Sequence, residues 1–236
     1  MAYYDRIAKN WHKATGYKGG SFKKYVLNDI LLKEIAAVAG RSILELGAGN
    51  GYFMPMALEH FSGQIPERIV LTDISARLLS IAETQFHIPS AEYELLDVRG
   101  SFPFEDASFD LIIATMIFNE VSTAGLRRAL VECRRVLRSA GRLLITIIHP
   151  QFVASLDRRK QLKTGKNGIL TMPGEDQMRL PIVPRRLNDY ERLLVKAGFA
   201  WDKRDVYMTE EVLHEKPGLR SVGNKPLALI LHCQRI

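Results

Sequence analysis

Between residues 26 and 149, short apolar runs with strand character alternate with stretches whose apolar residues recur at helical spacing. Such alternation predicts βαβ units and therefore a parallel sheet covered by helices on both faces. The run at 142–148 is almost continuously apolar, as is typical of a strand buried inside such a sheet. The runs with strand character are 42–46, 68–73, 93–96, 109–114 and 142–148.

Beyond residue 149 this rhythm changes. Residues 151–185 contain the basic cluster Arg158-Arg159-Lys160 and several glycines and prolines, and the stretch is longer than an ordinary connection. We expect it to be a functional lid or an insertion that shapes the substrate site. A helix over 187–197, a strand over 199–208, a loop over 214–218 and a strand over 227–235 complete the prediction, within one domain covering residues 1–236.

The composition is that of an ordinary globular chain, with 47% hydrophobic and 25% charged residues. No apolar run approaches the roughly 20 residues that a membrane-spanning helix needs, and the N-terminus is charged. We therefore expect a cytoplasmic protein with no membrane partner. Cys133 and Cys233 are predicted to be buried and reduced, and neither the cysteines nor the six histidines show metal-ligand spacing, so no metal is expected.

The first predicted strand runs into the glycine-rich segment Glu45-Leu46-Gly47-Ala48-Gly49-Asn50-Gly51. Glycines at such a junction allow a tight turn and the close approach of a ligand. The dinucleotide fingerprint needs a further Gly or Ala where this chain has Tyr52, which disfavours a nicotinamide dehydrogenase. Acidic residues end three strands, namely Glu45, Asp73 and Asp97, as suits a nucleoside with an amino-acid tail.

These segments resemble the class I S-adenosylmethionine-dependent methyltransferases, in particular the small-molecule type related to the quinone-biosynthesis enzymes. The resemblance is strong over about residues 40–150 and looser at 186–190 and 197–199. It implies a Rossmann-like, seven-stranded, mostly parallel sheet with an antiparallel last strand. It also implies S-adenosylmethionine as the methyl donor. The matching segments are 43–51, 71–75, 96–98, 109–114, 135–137 and 141–143.

The resemblance further implies how the donor is held. Its methionine part would face Gly47, Ala48 and Gly49, with Glu45 near the ammonium group. Asp73 would hold the ribose hydroxyls.

The same resemblance assigns the adenine and sulfonium ends. Ile74 would pack on the adenine, Asp97 would accept its amino group, and Val98 would donate its backbone N–H. Thr115 and Met116 would lie along the donor towards its sulfur.

The acceptor is expected above the ends of the fourth and fifth strands. His149 is the first candidate for a base, with fixing the turn before Pro150 as its alternative role, and Asn119 is a candidate for orienting the acceptor. The resembled family often forms a lid from its N-terminal segment, so residues 1–25 are expected to be a helical lid with Tyr17 and Tyr25 facing the donor.

Three functions stay open at this point. The favoured one is methyl transfer to a small organic acceptor at oxygen, nitrogen or carbon. The net charge of +7 keeps an RNA acceptor open, although the charge is spread along the chain. A binding protein that keeps the donor pocket without transfer is the third. Whether the protein is a monomer or a homodimer also stays open.

Overall fold

The computed structural model describes residues 3–36, 42–61, 66–157, 161–171 and 179–236. The helices are α1 (Tyr3–Thr15), α2 (Gly20–Phe22), α3 (Asn28–Ala36), α4 (Phe53–Leu58), α5 (Ala76–Gln85), α6 (Thr123–Val136), α7 (Pro150–Leu156), α8 (Leu187–Lys196) and α9 (Glu210–Glu215). The strands are β1 (Ser42–Leu46), β2 (Arg68–Asp73), β3 (Ala91–Leu95), β4 (Phe109–Thr115), β5 (Leu137–Ile148), β6 (Gly168–Thr171), β7 (Arg179–Ile182), β8 (Phe199–Val206) and β9 (Ala228–Arg235).

Seven strands form one sheet in the order β3-β2-β1-β4-β5-β9-β8, and β6 pairs with β7 in a separate hairpin. The strands β1 to β5 pair in parallel, whereas β9 is antiparallel to both β5 and β8. The expected mostly parallel sheet with an antiparallel last strand is thus confirmed. Because β1, β2 and β4 run in one direction, their carboxyl ends meet at one edge of the sheet.

The two faces of this sheet are buried under different helices. On one face, α6 and α8 contribute Leu126, Leu130 and Leu194 to an apolar cluster. On the other face, Leu31 of α3 and Met54 of α4 belong to a second cluster. Helices therefore cover both faces, as the alternating pattern predicts. Cys133 and Cys233 are buried and free, as expected.

The first helix of the alternating region is α3, which begins at Asn28 after a π-helical segment Lys23–Leu27 and is described only to residue 36. One predicted loop is wrong. The loop expected over 214–218 is helical, because α9 ends there and a 3₁₀ helix follows over Pro217–Val222. Thr209 caps α9 by accepting from the Val212 N–H, and Val212 is buried.

The stretch 151–185 forms secondary structure where it is described. It holds α7 and the β6–β7 hairpin, which bury Val153, Leu170 and Ile182 against one another. The basic cluster at 158–160 lies outside the described residues. In the described part of the chain, no helix is long and apolar enough to cross a membrane.

Candidate functional site

Polar residues replace apolar ones at the carboxyl ends of three central strands. Glu45 on β1, Thr115 on β4 and Thr146 on β5 continue the sheet face that packs on α3 and α4. Glu45 Oε2, Thr115 Oγ1 and Thr146 Oγ1 are buried, and they have no hydrogen-bond partner among the described residues. Buried polar atoms without a partner are rare and costly, so this edge has the character of a ligand site.

The glycine turn after β1 is tied to the end of β2. Gly47 and Gly49 have φ values of 68° and 62°, which residues with a Cβ rarely adopt. The Gly49 N–H donates to Asp73 Oδ2 at 2.9 Å, and the Ser75 N–H donates to Asp73 Oδ1 at 2.9 Å. The buried Asp73 carboxylate therefore holds the turn in place while keeping lone pairs for further donors. Ala48 is buried within the same turn.

The edge is acidic and shielded from water. Burial raises the pKa of Glu45 to about 7, although Lys23 opposes the shift. Burial also raises the pKa of Asp73 above its ordinary value. Burial raises the pKa of Glu120, just beyond β4, to about 7. The three carboxyl groups share a region that favours a bound cation or a donor of hydrogen bonds.

Helix α1 lies across this edge. The Tyr4 hydroxyl donates to Glu120 Oε1 at 2.5 Å, and the Ser75 hydroxyl donates to Asp5 Oδ1 at 2.7 Å. Further along α1, Trp11 stands beside the glycine turn, because a Cβ built on Gly49 would lie 3.6 Å from Trp11 Nε1. Helix α1 thus contacts loops that follow three different strands.

The two tyrosines predicted to face the donor, Tyr17 and Tyr25, have other contacts. The Tyr17 ring is 65% exposed and packs 5.1 Å from the Phe86 ring, measured between centroids. Tyr25 is half-buried, and its hydroxyl accepts from Lys24 Nζ at 2.5 Å. The roles of Tyr17 and Tyr25 towards the donor stay predictions.

The residues predicted to contact the adenine follow β2 and β3. Ile74 follows Asp73 and is 37% exposed, so its side chain is open to a planar group. Asp97, however, forms a bidentate ion pair with Arg99, with Arg99 Nη2 2.6 Å from Asp97 Oδ2. The Arg99 hydrogen bonds lower the Asp97 pKa. Val98 is buried in the core.

The Asn119 side chain joins the loop after β4 to the end of β5. Its Nδ2 donates to the Met116 carbonyl oxygen at 3.1 Å, and its Oδ1 accepts from the Ile148 N–H at 3.1 Å. These bonds hold Met116 in a left-handed conformation with φ of 63°. The next residue, Ile117, lies beside the glycine turn, since its Cδ1 would be 2.7 Å from a Cβ built on Gly47.

His149 caps a helix. Its Nδ1 accepts from the Gln151 N–H at 3.1 Å at the start of α7, and its Nε2 lies 3.6 Å from Asp205 Oδ1. Burial lowers the pKa of His149, which keeps the ring neutral near neutral pH. These contacts favour the turn-fixing alternative for His149, and its catalytic role and that of Asn119 stay predictions.

Sequence reasoning assigned no role to several residues that gather here. The sheet register places Thr146 of β5 beside Thr115 of β4. Tyr4 and Lys23 come from the N-terminal segment, far away in the chain. Ser75 is different, because a serine directly before a helix is typical of an N-cap and is visible in the sequence. Its side chain accepts from the Leu78 N–H at the start of α5.

The strand order, the glycine turn after β1 and the acidic end of β2 define a class I methyltransferase fold. An S-adenosylmethionine-dependent methyltransferase from Mesorhizobium loti has this fold, with a TM-score of 0.64 at 18% identity over 87% of this chain and 96% of that one. Residues 43–141 match a family described as methyltransferase domain. These residues therefore carry a methyltransferase domain, and the fold is that of S-adenosylmethionine-dependent methyltransferases.

Two curated relatives carry similar segments within longer proteins. A highly reducing polyketide synthase, acrA, from Aspergillus aculeatus is 32% identical over 67% of this chain, which spans 6% of that protein. A tRNA N(3)-methylcytidine methyltransferase, Mettl2, from Drosophila melanogaster is 30% identical over 48% of this chain and 36% of that protein. The relation to quinone-biosynthesis enzymes stays a prediction.

Proposed function

We propose that this protein transfers a methyl group from S-adenosylmethionine to a small organic acceptor. The observation that carries the proposal is the buried acidic edge formed by Glu45 and Asp73 around the glycine turn, within the methyltransferase domain. A nucleoside with a cationic amino-acid tail has the hydroxyl and ammonium donors that such carboxylates accept.

The residues at this edge fit the donor. Glu45 Oε2 is buried and has no hydrogen-bond partner among the residues that the structure describes, so an ammonium group would satisfy it. Asp73 is fixed by two backbone N–H groups and would accept from ribose hydroxyls. Thr115 and Met116 would line the path to the sulfur. Ile74 and Val98 would contact the adenine. The methionine part would lie against the glycine turn, at Gly47, Ala48 and Gly49. Asp97 would reach the adenine amino group only in competition with Arg99.

The donor, when bound, supplies a methyl group that is already electrophilic because it sits on a sulfonium. The chain's own task is then to align the acceptor and to exclude water. Helix α1 suits the second task, because Tyr4 and Asp5 join it to loops beyond β4 and β2. We propose residues 1–25 as a lid and 151–185 as the insertion that shapes the acceptor side, within a single cytoplasmic domain.

Two observations keep RNA as a second candidate acceptor. The chain has a net charge of +7, and one relative is named as a tRNA methyltransferase. Against an exocyclic amine of a nucleic-acid base as the acceptor, the segment at the end of β4 is Ala114-Thr115-Met116-Ile117-Phe118 and lacks the Asn/Asp-Pro-Pro-Tyr/Phe pattern of enzymes that methylate such amines.

Calorimetry and a methylation screen test the proposal together. We expect one molecule of S-adenosylhomocysteine to bind per chain, no binding of NAD, and transfer of labelled methyl to a member of a small-molecule panel. Donor binding with no transfer to any small molecule, but transfer to RNA or tight salt-dependent RNA binding, would replace the small acceptor with RNA. Binding without any transfer would support a non-catalytic donor-binding protein.

A further inference from the structure

Glu120 is a carboxyl group of the acidic edge to which the proposed function gives no role. Glu45 and Asp73 are proposed to accept from the ammonium and the ribose of the donor, whereas Glu120 follows β4, where the acceptor is expected. In the described part of the chain, Glu120 Oε1 accepts from the Tyr4 hydroxyl at 2.5 Å, and Oε2 has no hydrogen bond. Its side chain is half-buried, so Oε2 is free to accept from a ligand.

The loop that carries Glu120 is held in place on both sides of this residue. The buried Arg185 side chain donates through Nη1 to the Phe118 carbonyl oxygen at 3.0 Å and through Nη2 to the Val121 carbonyl oxygen. The Val183 N–H donates to the carbonyl oxygen of the residue before Glu120 at 2.7 Å. The backbone around Glu120 is therefore fixed by the last residues of the stretch 151–185, while its side chain reaches α1.

The surroundings of Glu120 suit a group that gains and loses a proton near neutral pH. Its pKa is raised to about 7, chiefly by burial and to a smaller extent by the charge of Asp73. The Tyr4 hydrogen bond and the charge of Lys23 oppose this shift. Tyr4 keeps its own proton, because burial raises the pKa of its hydroxyl. A general base is most effective when its pKa is close to the working pH.

The charges of the region favour an acceptor that is a cation. The charge of Lys23 acts on Glu45, Asp73 and Glu120, so that one lysine faces three carboxyl groups. The bound donor adds a single positive charge at its sulfonium, because the two charges of its amino-acid end cancel. With the carboxyl groups ionised, the region would still attract a cation. An aliphatic amine is a cation at neutral pH, and it must lose a proton before its nitrogen can attack the methyl group.

We propose that the acceptor is an aliphatic primary or secondary amine and that Glu120 is the catalytic residue that takes the proton of its ammonium form. The proton passes from the ammonium nitrogen to Glu120 Oε2. The freed lone pair of the nitrogen forms the bond to the methyl carbon, and the C–S bond breaks with its electron pair left on sulfur. The products are a methylated ammonium and the thioether S-adenosylhomocysteine. This inference rests on the proposed function, for which it names the acceptor class and the base.

Matched acceptors test the acceptor class. Each amine of a panel that includes benzylamine, 2-phenylethylamine and 1,4-diaminobutane is paired with the alcohol of the same carbon skeleton, which has a similar shape and no charge. With labelled S-adenosylmethionine, we expect methyl transfer to amines of this panel and none to the alcohols. Transfer to the alcohols alone, or to no member of the panel, would overturn the amine as the acceptor.

Glu120→Gln tests the base without removing the contact to α1, because an amide oxygen still accepts from the Tyr4 hydroxyl but the side chain takes no proton. We expect kcat for the best amine to fall about 100- to 10,000-fold, the usual contribution of a general base. Calorimetry should show the Kd of S-adenosylhomocysteine changed by less than about twofold, since Glu120 is not proposed to contact the donor. Glu120→Asp should recover part of kcat. Glu191→Gln alters an exposed residue of α8 and should change neither quantity.

The pH dependence separates a base from a residue that only supports the fold. At saturating donor, kcat/KM for the amine should rise with pH near 7 in the unaltered protein, because Glu120 accepts a proton only as the carboxylate. In Glu120→Gln this rise should disappear, and the remaining rate should follow the fraction of free amine in solution.

The outcomes distinguish this inference from the proposed function. An unchanged kcat or an unchanged pH profile in Glu120→Gln would overturn the role of Glu120 as the base. A loss of donor affinity as large as the loss of kcat would show that Glu120 supports the donor site or the fold instead. If the unaltered protein did not bind S-adenosylhomocysteine, the proposed function itself would fail.

Discussion

Asp73 is the residue at which the proposed donor site is most sharply testable. Its two carboxylate oxygens accept from the N–H groups of Gly49 and Ser75, each at 2.9 Å, while the side chain is buried at the end of β2. Replacement by alanine removes the proposed acceptor for the ribose hydroxyls. It also leaves both backbone N–H groups without their present partner.

The size of each effect can be worked from these contacts. Loss of charge-assisted hydrogen bonds to the ribose should cost about 2–3 kcal/mol, which weakens donor binding roughly 30- to 150-fold. Two backbone N–H groups lose their acceptor, which destabilises the folded protein. Burial disfavours the charged Asp73 carboxylate, as its raised pKa shows, so its removal offsets part of this loss of stability. We therefore expect a net loss of about 1 kcal/mol in the free energy of unfolding, or about 2–4 °C in Tm.

Calorimetric titration with S-adenosylhomocysteine and a thermal melt measure the two quantities. Asp106→Ala is the matched control, because that aspartate is 78% exposed and its described ion pair is with Arg135. It should leave donor affinity unchanged. Asp73→Asn should also bind weakly, since an amide can accept from only one of the two N–H groups. Unaltered affinity in folded Asp73→Ala would refute the assignment of the ribose site.

Three other substitutions separate binding, closure and stability. Burial raises the Glu45 pKa to about 7, so between its ordinary pKa and 7 the folded protein binds a proton that the unfolded chain has released, and stability falls as the pH rises. Glu45→Gln should therefore raise Tm at pH 8 relative to the unaltered protein while weakening donor binding; melts showing a lower Tm at pH 8 would contradict this. Tyr4→Phe removes the hydrogen bond to Glu120, worth about 1.5–3 kcal/mol, and should speed amide hydrogen exchange in α1 by roughly 10- to 100-fold; unchanged exchange would show that this bond does not hold the helix. His149→Ala removes the cap of α7 and should lower the free energy of unfolding by about 1 kcal/mol with donor affinity unchanged in calorimetry, whereas weaker donor binding would place His149 in the donor site.

The order of strands and helices could be predicted from the sequence because its signals are local. Apolar runs, helical spacing and terminal glycines predicted β1, β2 and β4 to within a residue or two. The loop predicted at 214–218 was wrong because α9 and the following 3₁₀ helix form on an apolar surface that no local pattern reveals; Val212 and Leu219 are buried there.

Part of the candidate site was predictable for the same reason. Parallel strands bring their carboxyl ends to one edge of the sheet, so the sequence pattern predicts that Glu45 and Asp73 lie close together. Asp97 obeys the same rule, yet Arg99 two residues later binds its carboxylate. The direction of a parallel strand predicts where its last residues lie, whereas the partner of a side chain depends on the neighbouring loop.

The amino-acid sequence by itself determined the alternating elements, the glycine turn with its positive φ angles, and the acidic strand ends. Only the tertiary structure decided that α1 crosses the edge and that Lys23 stands behind Tyr52 without an ion pair among the described residues. The Tyr4–Glu120 hydrogen bond joins residues 116 positions apart. Closing so long a loop costs conformational entropy. No local contact offsets this cost, so the free energy of packing the whole chain must do so.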